Sequence, residues 1–166
     1  MDDGAVDLEI TSATFEDCFR RHYPRLVRSL GAGADGAEEA VQEAFVEAHL
    51  RWRKVSRLDD PVGWIRRVAI RRILNEHRSI ERRGRAVARL SAVPHTTSQP
   101  EVATDELADA IRQLPVRQRM ALVLHHLDAL SVREVAAAMD VSEGTVKSQL
   151  HDARANLRDL LEDDGG

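Results

Sequence analysis

Lys147, His151, Arg154 and Arg158 recur every three or four residues near the carboxyl end of this 166-residue chain. A helix would carry all four along one wet face. Thr145 and Ser148 add hydroxyls beside them. Cations and hydroxyls in that pattern bind phosphate and reach base edges in a nucleic-acid groove. The run Gly144-Thr145-Val146-Lys147-Ser148 opens with small residues that admit a close backbone. The free amides at a helix's amino end attract phosphate. Val146, Leu150, Ala153, Leu157 and Leu160 repeat at the spacing of a buried stripe on the other side.

Something must hold that helix in place. Upstream, Ser131 is positioned to cap a short helix, and Glu134 three residues on completes a capping box. Val132, Val135, Ala136 and Met139 give this helix its apolar stripe. Asp140, Val141 and Ser142 make a turn, and Ser142 can cap the helix that follows. A short capped helix, a tight turn and a longer basic helix form the helix-turn-helix arrangement, whose second helix enters the major groove of DNA. The same outline fits a plain helical hairpin in a bundle, but the small residues that open the second helix favour DNA binding; this stretch alone leaves open which kind of regulator carries it.

Aromatics are scarce and alternating β-branched residues nearly absent, so an all-α fold is expected. One cysteine, Cys18, leaves no internal disulfide and fits a reducing compartment. No apolar run approaches membrane-spanning length, and the acidic start MDDGAVDLEI lacks the look of a secretion signal. The expectation is a soluble, cytoplasmic protein with no membrane contact. The net charge of −4 conceals a strong asymmetry. Residues 1–50 hold four arginines against eleven acids, whereas residues 51–89 hold thirteen Lys/Arg against four acids. A basic block inside an acidic chain is an electrostatic footprint for phosphate, with flanks suited to a protein partner.

In chain order, residues 1–12 read as a disordered acidic lead-in. A helix opens at Thr14, with Phe15, Cys18, Phe19, Leu26, Val27 and Leu30 on one face; Pro24 should kink or restart it. Cys18 and His22 stand one turn apart, but two ligands do not make a metal site, and no metal or other cofactor is expected. From Gly36 to about Lys54 a second helix turns Ala40, Val41, Ala44, Phe45, Ala48 and Leu50 inward and an acidic face outward. Asp60 then caps a third helix with Pro61 at its first position, running to about Gly84 and crowded with arginines. Trp52 and Trp64, bracketed by arginines, suit stacking on an unpaired base and packing in a core, and both roles can hold at once. A polar stretch with Pro94 and Pro100 marks a linker. Thr104 caps the helix that follows it. Another helix, from Val116 to about Asp128, brings Met120, Leu122, Val123, Leu124 and Leu127 under the helix-turn-helix.

Three stretches, in order, resemble the extracytoplasmic-function (ECF) sigma factors of bacterial RNA polymerase, in the sigma-70 family. They are Ala37-Glu38-Glu39-Ala40-Val41-Gln42-Glu43-Ala44-Phe45, then Asp59-Asp60-Pro61-Val62-Gly63-Trp64-Ile65-Arg66-Arg67-Val68-Ala69, then Leu130 to Leu161. The resemblance covers about residues 14–162. It implies two small helical domains joined by a flexible linker. Residues 14–84 would be sigma region 2, for the −10 promoter element and core polymerase. Residues 85–104 would be the linker, and 105–162 sigma region 4, a helix-turn-helix for the −35 element.

By position, the resemblance puts Glu39, Gln42 and Glu43 where the family docks on the polymerase clamp. Trp52 through Trp64 frame the loop expected to hold a flipped non-template base. Arg67, Arg71, Asn75 and Arg78 fall on the helix facing the −10 region, and Thr145, Lys147, Ser148, His151 and Arg154 among the −35 contacts. The implied partners are core RNA polymerase, promoter DNA and, as is common in the family, an anti-sigma factor. Arg71 and Asn75 replace an Asn and an Asp frequent in the family, which implies a different −10 preference. Gln149 and Asp152 replace arginines common in the recognition helix, which implies a weak or unusual −35 contact.

A LuxR-type helix-turn-helix regulator shares the look of Leu130 to Leu150, but it needs an α/β receiver or ligand domain upstream, and residues 1–90 show no strand pattern. A helical interaction or metal-sensing module fails to explain the arginine block and lacks a Cys/His cluster. An enzyme is not expected: no nucleophile, base and orienting group recur at usable spacing, and no phosphate-cradling glycine loop is present.

Overall fold

The computed structural model describes residues 3–88 and 106–163, with side chains described over 14–86 and 106–163. Eight helices occupy those residues: α1 (Asp3–Gly33), α2 (Ala37–Leu50), α3 (Trp52–Val55), α4 (Pro61–Ala88), α5 (Glu106–Gln113), α6 (Val116–His126), α7 (Val132–Met139) and α8 (Glu143–Asp163). The protein is all-α, with a four-helix amino-terminal domain and a carboxy-terminal domain ending in a helix-turn-helix. Residues 89–105, on which most of the expected linker and the Thr104 cap fall, lie outside the described residues.

Helix α1 differs from expectation at two places. It begins at Asp3, so residues 3–12 are helical rather than an irregular lead-in. It also runs without interruption through Pro24. That proline is exposed, and Leu26 and Leu30 beyond it are 3% and 0% exposed, so burial on the following turns outweighs one missing amide donor.

Helix α2 stops at Leu50, short of Lys54, because Arg51 leaves helical geometry at φ −117° and ψ 19°. The break restarts the chain as the single turn α3, which turns Trp52 and Val55 into the core. It leaves Leu50, expected inside, 79% exposed. Asp60 caps α4 as expected, its Oδ1 accepting from the Gly63 amide at 2.8 Å. A Cβ at Gly63 would collide with that carboxylate, so the cap requires glycine there. Helix α4 passes Gly84 and reaches Ala88. One glycine in a helix costs only about 1 kcal/mol against alanine. Ion pairs from Arg83 to Glu76 and from Arg85 to Glu81 support the same stretch.

In the second domain Leu114, Leu122 and Ala153 form a small core, with Ile111, Leu157 and Leu160 against it. The Ser131 capping box is complete. The Ser131 amide donates to Glu134 Oε2 at 2.7 Å, and the Glu134 amide donates to Ser131 Oγ at 3.1 Å. Asp140 ends α7 in the left-handed region (φ 55°, ψ 50°), a conformation its short polar side chain tolerates.

The two domains are not held apart. One apolar cluster runs from Leu26, Leu30, Phe45 and Ile70 of the first to Met120, Leu124, Val135 and Val146 of the second. Helix α6 therefore serves both cores. Leu127, expected beneath the helix-turn-helix, is 64% exposed beyond its end.

Candidate nucleic-acid and polymerase interface

Helix α8 is fixed from beneath by Val146, Leu150 and Ala153, all buried, and by Asn156, whose Nδ2 donates to Gln118 Oε1 on α6 at 2.8 Å. Ser142 caps it, accepting from the Thr145 amide at 3.1 Å. Lys147, Ser148, His151, Arg154 and Arg158 are exposed, so the basic face is presented to solvent. Thr145 is exposed too, but its hydroxyl lies 2.9 Å from Ser142 Oγ and belongs to the cap. The Ser131 amide first, and the Ser131 hydroxyl second, hold the Glu134 carboxyl below its ordinary pKa. Burial, followed by electrostatic repulsion from the neighbouring His125 and Arg154 side chains, lowers that of His126.

Helix α4 separates its arginines by role. Arg72 binds two carboxylates of α2, Glu43 at 2.8 Å and Glu47 at 3.0 Å, and so ties the two helices together. Arg67, Arg71 and Arg78 are exposed and make no ion pair among the described residues, with Asn75 exposed between them. Four such side chains at spacings of four, four and three form one stripe along the helix, a continuous cationic track for a phosphate backbone.

The two tryptophans separate in the same way. Trp52 is 6% exposed, its ring edge-on to Phe15 with centroids 5.3 Å apart, and its Nε1 is buried without a partner among the described residues. It offers no free face to a base. The stacking role drawn for Trp52 thus gives way to its core role, because the break at Arg51 rotates α3 inward. Trp64 is half-buried at the start of α4, one turn before the arginine stripe.

On α2, Glu39, Gln42 and Glu43 are exposed together. Gln42 Nε2 donates to Tyr23 Oη at 3.1 Å, which ties the ridge to α1. Val46 and Leu50 extend the same edge, 61% and 79% exposed. Sequence reasoning missed this apolar extension, although the acidic face it borders was legible. It also missed the aromatic cluster of Phe15, Phe19, Tyr23, Phe45 and Trp52, signalled by aromatics four residues apart at positions 15, 19 and 23. Burial raises the Cys18 thiol pKa, and burial together with nearby arginines lowers that of His22.

A basic helix-turn-helix thus lies on one domain, and an arginine stripe backed by an acidic ridge on the other. Residues 18–83 match Sigma-70 region 2, and residues 104–157 match Sigma-70, region 4. The ECF RNA polymerase sigma factor SigM of Mycobacterium tuberculosis (strain ATCC 25618 / H37Rv) is 34% identical over 89% of this chain and 76% of its own. The RNA polymerase sigma-E factor of Streptomyces coelicolor is 33% identical over 89% of this chain and 85% of its own. The fold is also that of the sigma factor RpoE, solved in complex with the anti-sigma factor NepR from Bartonella quintana. That likeness has a TM-score of 0.65, 23% identity, and covers 90% of this chain and 97% of that one. The chain belongs to the sigma-70 family, as an ECF-type sigma factor that directs core RNA polymerase to promoters. Nothing in the fold or the comparisons favours a LuxR-type regulator.

Proposed function

We propose that residues 14–84 read the −10 element and bind core polymerase, while residues 105–162 read the −35 element. The single observation that carries this reading is the stripe of Arg67, Arg71 and Arg78 on α4, which makes no ion pair among the described residues, whereas Arg72 on the same helix is neutralised by Glu43 and Glu47. Arg67, Arg71, Asn75 and Arg78 track the backbone and edges of the opened −10 strand, and Trp64 supplies the stacking surface. Binding unstacked bases better than stacked ones drives strand opening. Lys147, Ser148, His151 and Arg154 contact the −35 groove, with the Ser142–Thr145 cap presenting backbone amides to phosphate.

Glu39, Gln42 and Glu43 dock on a basic surface of the polymerase, and Val46 and Leu50 add the apolar centre that such an interface needs. The protein acts in the cytoplasm and carries out no chemistry of its own. No helix among the described residues is long and apolar enough to cross a membrane. An anti-sigma factor, as found with the Bartonella protein, is a fitting regulator.

Permanganate footprinting of a promoter bound by core polymerase and this chain tests the reading. Reactive thymines are expected at the −10 element, reduced about tenfold or more by Arg71→Ala with Arg78→Ala. Unchanged reactivity in that variant contradicts the assignment of α4.

A further inference from the structure

Helix α8 has two unlike polar edges on either side of its buried stripe of Val146, Leu150 and Ala153. At about 100° per residue, Lys147, His151, Arg154 and Arg158 share one edge. Thr145, Gln149, Asp152, Asn156 and Asp159 share the other, which carries no cation. Two side chains of that second edge are already engaged. The Thr145 hydroxyl lies 2.9 Å from Ser142 Oγ in the cap, and Asn156 Nδ2 donates to Gln118 Oε1 at 2.8 Å. Gln149 is half-buried. Asp152 is exposed and makes no hydrogen bond or ion pair among the described residues.

Nothing in the fold accounts for a carboxylate at this position. Its helix neighbours three and four residues away are Ser148, Gln149, Ala155 and Asn156, so no intrahelical ion pair is available to it. It stands well past the first turn of α8, where the helix dipole no longer favours a negative charge. Lying between Lys147 and Arg154 in the chain, it also opposes their attraction for phosphate. The floor of a major groove offers it a match. An ionised carboxylate only accepts hydrogen bonds, while guanine and thymine present acceptors there. Adenine sets its N6 donor beside the N7 acceptor, whereas cytosine presents the N4 amino donor alone. Cytosine is therefore the base that a lone carboxylate fits best.

We propose that Asp152 is a specificity-determining residue of the −35 contact: its carboxylate accepts from the N4 amino group of a cytosine and so selects a C·G pair at one position of the site. The cationic edge of α8 holds phosphate, which gives affinity without sequence, and Asp152 gives up part of that affinity in exchange for discrimination. The proposal rests on the reading of α8 as the −35 helix and adds the base that this chain selects there.

The test uses core polymerase with the full chain, transcribing a promoter library randomised across the −35 segment, each member identified by a transcribed barcode. The parent should favour cytosine at one position about fivefold or more over the other three bases. Asp152→Ala should reduce that preference to less than about twofold and leave the preferences at the remaining positions intact. Asp152→Asn, which matches adenine N6 and N7, should move the preference from cytosine to adenine at the same position. The side chain is exposed, so helical circular dichroism and core-polymerase binding should not change. A gain of output spread evenly over all sequences in Asp152→Ala overturns the proposal, because it marks the carboxylate as a charge that only repels phosphate. So does a parent without a cytosine preference, or an Asp152→Ala variant that keeps one. The α8 reading fails separately, if Lys147→Ala with Arg154→Ala leaves the output of the whole library unchanged.

Discussion

Arg72 Nη1 donates to Glu43 Oε2 at 2.8 Å, so a residue of the arginine block is spent on holding α2 against α4. Its sequence neighbour Arg71 is exposed and makes no ion pair among the described residues. Both partners of the Arg72–Glu43 pair are roughly half exposed, which limits its energetic value. Arg72→Ala should lower stability by about 1 kcal/mol or less, measured by urea denaturation. It should weaken core-polymerase binding only severalfold, by loosening Glu43 and Glu47.

The acidic ridge should behave differently. Glu39→Lys with Gln42→Ala should abolish co-purification with core polymerase, and with it all initiation, while leaving the circular dichroism spectrum unchanged. Val46→Asp with Leu50→Asp should weaken the same binding about tenfold or more, since both side chains already face solvent and neither supports the fold. Retained binding in both double variants would place the polymerase contact elsewhere.

The helix-turn-helix was legible almost residue by residue. Its capping box, its turn and the buried stripe of Val146, Leu150 and Ala153 are local features, set by side chains within a few positions of one another. What stayed hidden depends on distant partners. The arginines around Trp52 suit both a stacking platform and a core residue, because its burial depends on a backbone break at Arg51 and on Phe15. Periodicity alone puts Leu50 and Leu127 inside, and the helix ends turn them outward. Ser29, buried at 7% exposure, found its partner Asp128 across the domain seam, a contact no periodicity encodes.

Lys147→Ala and Arg154→Ala should each lose initiation from −35-dependent promoters while binding core polymerase normally. Removing one phosphate contact should also reduce the slope of log affinity against log salt by about 1. Gel-shift titrations of the polymerase complex at several salt concentrations measure this. An unchanged slope and unchanged initiation in both variants would remove α8 from the promoter.

The tryptophans should divide by role. Trp52→Ala should cost about 3 kcal/mol or more through the cavity it leaves beside Phe15, whereas Trp52→Phe should keep both fold and initiation. Trp64→Leu should leave stability nearly unchanged and reduce strand opening about tenfold. Thermal melts and permanganate reactivity separate the two outcomes.

Folding lowers the pKa of His22 and His126, by burial first and by nearby cations second. The unfolded chain then takes up protons more readily than the folded one. This stability is present above the ordinary histidine value of 6.5 and is lost as pH falls through the lower folded-state values. The melting temperature should therefore decline from about pH 7.5 to pH 5, and His22→Asn with His126→Asn should flatten the decline. Both side chains are largely solvated, so the effect is small. A melting temperature that rises on acidification contradicts the assignment.

Run-off transcription gives the most direct measurement. Core RNA polymerase is supplied with genomic promoter fragments, with and without this chain. The chain should produce discrete transcripts that core enzyme alone does not make, and the same transcripts should vanish with Glu39→Lys and Gln42→Ala. Identical transcript patterns with and without the chain, across fragments covering the genome, would contradict its role as a promoter-specificity factor.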